Sequence, residues 1–484
     1  MASTPAAMRM ARKRSPISAP MSQQVVVGLT VISDAALIIG SGLALQGILD
    51  RAGSDFPSYL AALGAYALIA VLALHAAGSY RFTAIMEPAR VVARVAGVCL
   101  AVFMLLIATA FALKIAHHFS RLWSFSALLT STVLVVTGRV LLAFALRRLA
   151  AAGRIGRRIV VYGANEQARR LLARIDSLNE PWNHIAGVFD ERATRREGAV
   201  GGYPVLGNLG DLIAWARQHQ SDEILIALPW GAEERLLRIM RTLAVLPANV
   251  RLCPEFFHEE LIHGRTSYQY GMPMLSTFEK PIAGWGSIWK RVFDLLIAVI
   301  VLLPAMPLLL LIALWIRLES PGPVLFRQKR YGFNHELVEV FKFRTMHQTE
   351  SDPMGDRLTE RHDPRVTRLG TILRRLSLDE LPQLINVLRG EMSVIGPRPH
   401  AIRTTAGGKL CEDVIDHYAV RHKVKPGMTG WAQVNGWRGT MYDEHHLRER
   451  VAHDLYYIRH WSPMLDVRIL MLTVWTVIVG RNSY

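Results

Sequence analysis

The sequence is poor in cysteine and in acidic residues, and each shortage closes off a class of protein. Three cysteines occur among 484 residues, Cys99, Cys253 and Cys411. They lie far apart and the first sits in an apolar run, so they offer neither a disulfide framework nor a CxxC metal knuckle, and a reducing compartment fits. Asp and Glu number 39 against 56 Lys and Arg, which leaves a formal charge of +17. That excess suggests anionic partners, either a phospholipid surface or phosphorylated substrates, and does not choose between them. Apolar residues, by contrast, are abundant: 51% of the chain is hydrophobic and 20% charged. Disorder, collagen-like repetition and small secreted scaffolds are excluded, and the length implies more than one domain.

Four apolar stretches of roughly membrane-spanning length, about 20 residues, run over Val25–Leu49, Tyr59–Gly78, Val91–Ile115 and Leu122–Leu146. The tail before them carries Arg9, Arg12, Lys13 and Arg14 and is too long for the charged region of a cleaved signal peptide, so the first stretch is expected to remain as an anchor. Basic residues cluster in that tail, between the second and third spans (Arg81, Arg90, Arg94) and after the fourth (Arg147, Arg148, Arg154, Arg157, Arg158). Cytoplasmic flanks are enriched in Lys and Arg, which orients the N-terminus and everything after residue 150 to the cytoplasm. Asp34, inside the first span, would cost about 2.5–3.5 kcal/mol at mid-bilayer. A satisfied interhelical carboxylate or a shallower position is expected there.

Beyond Arg157 the pattern becomes an α/β alternation. Strands are expected at 158–163, 185–189 and 223–228, with helices at 166–176 and 211–219, an order that reads as βαβ units with a parallel sheet. Gly163-Ala-Asn-Glu-Gln-Ala occupies the place of a dinucleotide loop but lacks the second and third glycines, so a Rossmann-like domain without an obligatory cofactor is expected. Leu295–Ile316 is again long, apolar and uncharged, but Pro304 and Pro307 interrupt it and both flanks are basic. A helix that enters, breaks near Pro307 and returns keeps both flanks on one side; such a re-entrant hairpin over 290–317 is favoured over a span. Ile469–Val479 is too short to span and suits an interfacial helix, with a buried core helix as an equal alternative.

The chemistry gathers between these segments, in Lys342-Phe-Arg-Thr-Met346, Asp363-Pro-Arg-Val-Thr367, Arg374-Arg-Leu-Ser-Leu-Asp-Glu-Leu-Pro-Gln383, Gly396-Pro-Arg-Pro399 and Lys425-Pro-Gly-Met-Thr-Gly-Trp-Ala-Gln-Val434. Ser377-Leu-Asp-Glu380 reads either as a capping box or as the approach to a helix begun by Pro382; either way Asp379 and Glu380 fall at a helix N-terminus, where phosphate is favoured. Attack by a carboxylate on a charged phosphorus is opposed by Coulomb repulsion, which a metal ion and basic side chains must neutralise. Arg374, Arg398, Lys342, Arg344 and Arg365 are candidates for that task, with Asp363 beside the last. Of two adjacent carboxylates, one can act as nucleophile and one can hold Mg²⁺.

These motifs, in this order and after a proline-broken apolar hairpin, resemble those of the bacterial polyprenyl-phosphate hexose-1-phosphate transferases, the monotopic phosphoglycosyl transferases, in their long form. The resemblance covers the catalytic unit from about Trp289 to Tyr484 and, upstream, the four spans and the degenerate Rossmann-like domain. It implies that Asp379 is the nucleophile, taking a sugar-1-phosphate from a UDP-sugar as an acyl phosphate with release of UMP, and that Glu380 completes the dyad in association with Mg²⁺. It also implies phosphate or nucleotide contacts for Arg374 and Arg398, with undecaprenyl phosphate as acceptor. Where the family commonly has Ser-Pro at the hairpin break, this chain has Met306-Pro307 with an extra Pro304. The chain looks most like the glucose-1-phosphate transferases, which puts UDP-glucose first among donors, although galactose- and N-acetylhexosamine-type relatives share the motifs.

The fold expected is therefore an α-helical transmembrane bundle, a cytoplasmic α/β Rossmann-like domain and a mixed α/β catalytic domain with a re-entrant membrane helix hairpin. The segments are a basic tail (1–22), the bundle (23–150), the Rossmann-like domain (151–280) and the catalytic domain (285–484), in a bacterial inner membrane with catalysis on the cytoplasmic face. Phospholipid is an expected partner, nucleic acid is not, and self-association is left open. A nucleotide-sugar oxidoreductase would want an intact GxGxxG and a Tyr-x-x-x-Lys pair, which are missing. A scaffold or lipid transporter would have no use for an acidic pair among arginines.

Overall fold

The computed structural model describes residues 22–49, 56–151, 155–192, 198–219, 221–229, 231, 233–253, 267–270, 272–347, 363–400, 405–406, 409–415, 418–437, 439 and 443–479. The expected basic tail, with Arg9, Arg12, Lys13 and Arg14, lies outside them. The chain divides into two compact units, one of residues 1–157 with 179–184 and one of residues 158–178 with 185–484.

In the first unit, helices α1 (Gln23–Leu49), α2 (Phe56–Ala76), α3 (Pro88–Ala112) and α4 (Arg121–Ala151) match the four apolar stretches. Each is long and apolar enough to cross a membrane. Their packed faces meet in a core that includes Ile38, Tyr66, Ala70, Leu74, Val95 and Val135. Asp34 of α1 is buried and paired across the bundle with Arg139 of α4, whose Nε donates to Oδ2 at 3.0 Å, and Tyr80 donates to the same oxygen at 2.9 Å. Arg139 Nη1 also donates to the carbonyl of Ser79 at 3.1 Å. The carboxylate expected to be satisfied between helices is so, and the partner is a second charge that hydropathy alone would have penalised.

The second unit begins with an open sheet. Its strands are β1 (Arg157–Tyr162), β2 (Asn183–Phe189), β3 (Ala199–Val200), β4 (Tyr203–Gly207), β5 (Glu223–Ile226), β6 (Asn249–Leu252), β7 (Ser267–Gln269) and β8 (Met272–Phe278), in the order β3-β4-β2-β1-β5-β6-β8-β7. β1 pairs parallel with β5 and β5 with β6, while β8 closes antiparallel on β6. Helices α5 (Glu166–Ser177), α6 (Leu209–His219) and α7 (Glu233–Leu243) connect the strands. Central strands covered on both faces read as unbroken apolar runs, and Ile159, Val160, Val161 and Tyr162 are all buried.

The helix expected to break near Pro307, α8, runs without interruption from Trp285 to Glu319, with Pro304 and Pro307 inside it. It is longer than the 290–317 expected. Both of its ends are held by one domain. Near its start Arg291 donates to the carbonyls of Val387 and Leu388 at 2.6 and 2.8 Å, and Lys290 pairs with Asp466 at 2.9 Å. Near its end Glu319 accepts from the Leu369 amide at 3.1 Å, and Leu309, Ile312 and Ile316 pack with Phe343, Leu369 and Leu373. Between these anchors Leu303, Leu310 and Leu311 are exposed.

That domain consists of the hairpin β9 (Leu325–Tyr331) and β10 (Leu337–Phe343), helices α9 (Arg368–Arg375) and α10 (Gln383–Arg389), the parallel pair β11 (Ser393–Ile395) and β12 (Gly427–Thr429), and helices α11 (Glu444–Arg459) and α12 (Pro463–Val479). Its core joins Ala298 of α8 to Val340, Leu384, Val387, Ile395, Tyr457 and Ile469. α12 starts six residues before the expected apolar stretch; Asp466 and Ile469 are buried while Met464, Met471 and Trp475 are exposed. One face of α12 is thus core and the other apolar and open.

Candidate active site

Three elements converge. Lys342 stands near the end of β10, where it pairs in register with Phe326 of β9. After α9 the chain reverses at Ser377, which adopts φ +58, ψ 20, and enters a short 3-10 turn, Leu378–Glu380, that carries the acidic pair. Left-handed backbone is unusual for a non-glycine residue and here lets the turn follow α9 directly. Arg398 comes from the loop after β11.

Glu380 is the hub. Lys342 Nζ lies 2.7 Å from its Oε1, and Arg398 grips both oxygens, Nη1 to Oε2 at 3.0 Å and Nη2 to Oε1 in a closer contact. Burial opposes the charged form of Glu380, but Arg398 and Lys342 outweigh it and hold the carboxyl well below its usual range. Burial likewise draws the Lys342 ammonium down. The neighbouring Asp379 is also buried, and among the described residues its carboxylate accepts no hydrogen bond. Burial pushes its carboxyl up, with Glu380 adding to the shift while Lys342, Arg374 and Arg398 oppose it. Two adjacent carboxyls are thus driven in opposite directions, the pattern that separates roles in a catalytic pair.

The helix N-terminus contributes less than the sequence suggests. Ser377 makes no side-chain cap and Pro382 stands at the N-cap of α10, so the capping box does not form. The amides of Leu381, Leu384 and Ile385 are bonded to the carbonyls of Leu378, Leu381 and Pro382. Those amides are not open to an anion, and the cationic side chains supply the charge it would meet.

Arg374 stays at the site, its Nε donating to Thr345 Oγ1 at 2.9 Å and its charge acting on Asp379. Arg344, Asp363 and Arg365 are engaged elsewhere. Arg344 is buried and donates to the carbonyls of Ser320 and Pro321 at 2.7 and 2.9 Å, closing the C-terminal end of α8. Arg365 and Asp363 bind each other, Nη2 to Oδ2 at 2.6 Å, in the turn that leads into α9. These bonds of the three side chains run to Ser320, Pro321 and each other rather than to Asp379 or Glu380.

Arg330 was visible in the sequence as a basic flank of the apolar helix, not as a site residue. It donates to Pro399 O at 2.6 Å, and burial, then the nearby Arg398, bring its guanidinium down to about 10. The signal was the strand period: Gln328 and Arg330 share a face of β9, and Arg330 donates to Gln328 Oε1 at 2.7 Å.

Among the described residues no group of three His, Cys, Asp or Glu side chains could hold a metal ion. Magnesium commonly takes one or two carboxylates plus substrate phosphates and water. The Asp379 and Glu380 pair fits that sparse donor set, with Asp379 the more available of the two.

A buried carboxylate that accepts no hydrogen bond among the described residues and feels nearby cations, next to a second one already neutralised, suits transfer of a phosphoryl-linked group. The profile of the bacterial sugar transferase family matches residues 285–480, and that of a family described as a CoA-binding domain matches residues 75–254. The chain is 34% identical over 391 residues to a UDP-glucose:undecaprenyl-phosphate glucose-1-phosphate transferase of Xanthomonas campestris pv. campestris, covering 79% of each chain. It belongs to the bacterial sugar transferase family. It is also 40% identical over 333 residues to an undecaprenyl-phosphate glucose phosphotransferase of Komagataeibacter xylinus, covering 68% of this chain and 61% of the relative. To a UDP-glucose:undecaprenyl-phosphate glucose-1-phosphate transferase of Escherichia coli (strain K12) it is 40% identical over 308 residues, covering 63% and 65%. The chain thus spans less than two thirds of the length of these last two.

The sheet domain does not fit a diphosphate cofactor at its first loop. The Ala164 amide, where a phosphate oxygen would be received, donates instead to the Asp190 carboxylate at 2.7 Å. Asn165 caps α5 by accepting from the Ala168 amide at 2.9 Å. A fixed carboxylate on the loop amide repels an anion at that position.

Proposed function

We propose that the protein transfers a hexose-1-phosphate, glucose-1-phosphate first among them, from a UDP-sugar to undecaprenyl phosphate. One observation carries the reading: among the described residues Asp379 accepts no hydrogen bond and feels the charges of Lys342, Arg374 and Arg398, while Glu380 beside it is held by Lys342 and Arg398. An Asp379 oxygen attacks the sugar-bearing phosphorus, the bond to the UMP oxygen breaks, and UMP leaves with the electron pair. An oxygen of undecaprenyl phosphate then attacks the aspartyl-bound phosphorus and the carboxylate is expelled, giving the undecaprenyl-diphospho-sugar. Lys342, Arg374 and Arg398 neutralise the charge that gathers on the phosphate oxygens. When bound by Asp379 or Glu380, Mg²⁺ would supply further neutralisation of the diphosphate.

The same reading makes α8 re-entrant in a bacterial inner membrane, a helix bent at Pro304 and Pro307 that enters and leaves on one side, with the catalytic domain on the cytoplasmic face. The two anchored ends support it: a helix that crossed would carry Glu319 to the far side of a ~30 Å hydrocarbon layer, away from Leu369 and Arg344. Half-immersion brings a soluble donor and a lipid phosphate to one headgroup-level site, which supplies proximity directly.

The test offers purified protein a panel of UDP-sugars with undecaprenyl phosphate and Mg²⁺, scores UMP release, and weighs the intact chain after donor alone. Release of UMP, with a sugar-phosphate adduct on the wild-type chain and none on Asp379→Asn, is expected. No UMP from any donor would end the reading.

A further inference from the structure

The loop that carries Arg398 has no regular structure of its own, yet three of its consecutive carbonyls are bonded. Arg421 Nη2 donates to Arg398 O at 3.0 Å, Arg330 Nη1 to Pro399 O at 2.6 Å, and the Tyr331 amide to His400 O at 3.4 Å. Just upstream, the Gly396 amide donates to Thr429 O and the Gly427 amide to Pro397 O, both at 2.9 Å.

Arg421 lies on the helical turn Tyr418–Lys423 and is 2% exposed. Its Nε donates to Asp454 Oδ2 at 2.8 Å, and Nη2 lies 2.6 Å from the same oxygen. Nη1 donates to Tyr418 Oη at 2.7 Å and to His400 Nδ1 at 3.0 Å. Asp454, on α11, is buried to the same degree. The planar fork of a guanidinium can serve a carboxylate, a phenol, an imidazole and a carbonyl together; a lysine ammonium is a single point and cannot. A buried ion pair is weak evidence for stability, since apolar residues of like volume often hold a fold as well. What apolar residues could not do is fix the carbonyl of the residue whose side chain grips Glu380.

We propose that Arg421, oriented by Asp454, is a positioning residue: by holding Arg398 O it aims the Arg398 guanidinium at Glu380. The assignment rests on the transferase reading above, because Arg398 matters there as the neutraliser of the acidic pair. Arg421 acts only through Arg398, and among the described residues it bonds neither Asp379 nor Glu380.

Two measurements on the full membrane-embedded chain test this. The first is a double-mutant cycle in kcat/KM for the UDP-sugar. Arg421→Lys is expected to lose on the order of tenfold in the wild-type background and less than about twofold on Arg398→Ala, since residues that act as one unit are not additive. Equal losses in both backgrounds would mark a merely structural residue and overturn the proposal. The second is amide hydrogen exchange, which needs no catalysis. In both Arg421→Lys and Asp454→Asn, the segment 393–400 is expected to exchange at least about tenfold faster, while α10 keeps its protection. Unchanged exchange in 393–400, or equal loosening of α10, would overturn the proposal. If the wild-type chain releases no UMP, the transferase reading fails alone and hydrogen exchange still decides whether Arg421 holds the loop.

Discussion

At the scale of the residue, the two acidic neighbours should respond oppositely to neutral replacement. Asp379 is buried without a hydrogen bond among the described residues, and its raised carboxyl pKa means that ionisation is less favourable in the folded chain than in the unfolded one. Stability contributed by its protonated form is lost as pH rises through the folded value, so at neutral pH the group is a burden. Asp379→Asn should therefore abolish sugar-phosphate transfer, by on the order of a thousandfold or more, while leaving the melting temperature unchanged or higher. Glu380 is depressed, so its contribution is present above the unfolded pKa and lost as pH falls through the folded one. Glu380→Gln strands Lys342 and Arg398 and should destabilise the domain by roughly 3 kcal/mol, read as a lower melting temperature. The rate should also carry the mark of Asp379. An attacking carboxylate must be ionised, so the acid limb of kcat/KM should lie above the ordinary value of about 4. A limb at or below that value would contradict Asp379 as the buried nucleophile.

At the scale of the element, α8 depends on the residues that receive its ends. Arg344 serves carbonyls of Ser320 and Pro321 just past the C-terminal turn of α8. Arg344→Ala leaves those carbonyls without their donor and should cost about 1–3 kcal/mol, visible in thermal denaturation, with KM for the donor little changed in the protein that remains folded. The path of α8 is tested separately. Trp289 and Leu318 are exposed near its two ends, and the three native cysteines are buried. In inverted and right-side-out vesicles, Trp289→Cys and Leu318→Cys should react with an impermeant maleimide from the same side. Reaction from opposite sides would make α8 a span.

At the scale of the whole molecule, the packing around the site is drawn from the C-terminal part of the chain. The cores that join α8, the β9-β10 hairpin and α9 to α12 use residues from Ile282 onward. The sheet domain meets this part through Asn334, which donates to Arg217 O at 2.9 Å, and through Phe278, which lies 5.1 Å from Lys423 Nζ. Neither contact touches Asp379 or Glu380. A chain of residues 281–484 should therefore release UMP at a rate within about tenfold of the full chain, a barrier change of ~1.4 kcal/mol or less. A far larger loss would mean that the sheet domain or the bundle shapes the site.

The spans, the βαβ alternation and the acidic pair were legible in the sequence because each is a local signal. Hydrophobic length, apolar periodicity and adjacent carboxylates in a basic stretch survive without any knowledge of neighbours. Which basic residues surround the pair was not local. Lys342 and Arg398 bind Glu380 and, with Arg374, act by charge on Asp379, whereas Arg344 and Arg365, equally basic and set in equally suggestive motifs, are taken up by carbonyls just past α8 and by Asp363. Pairing depends on contacts between residues far apart in the chain, as between Asp34 and Arg139, or Arg421 and Arg398. The sequence by itself determined the membrane helices, the sheet domain and the two carboxylates. The tertiary structure alone decided which cations meet them, because the energy of a buried charge is set by partners that only folding brings within reach.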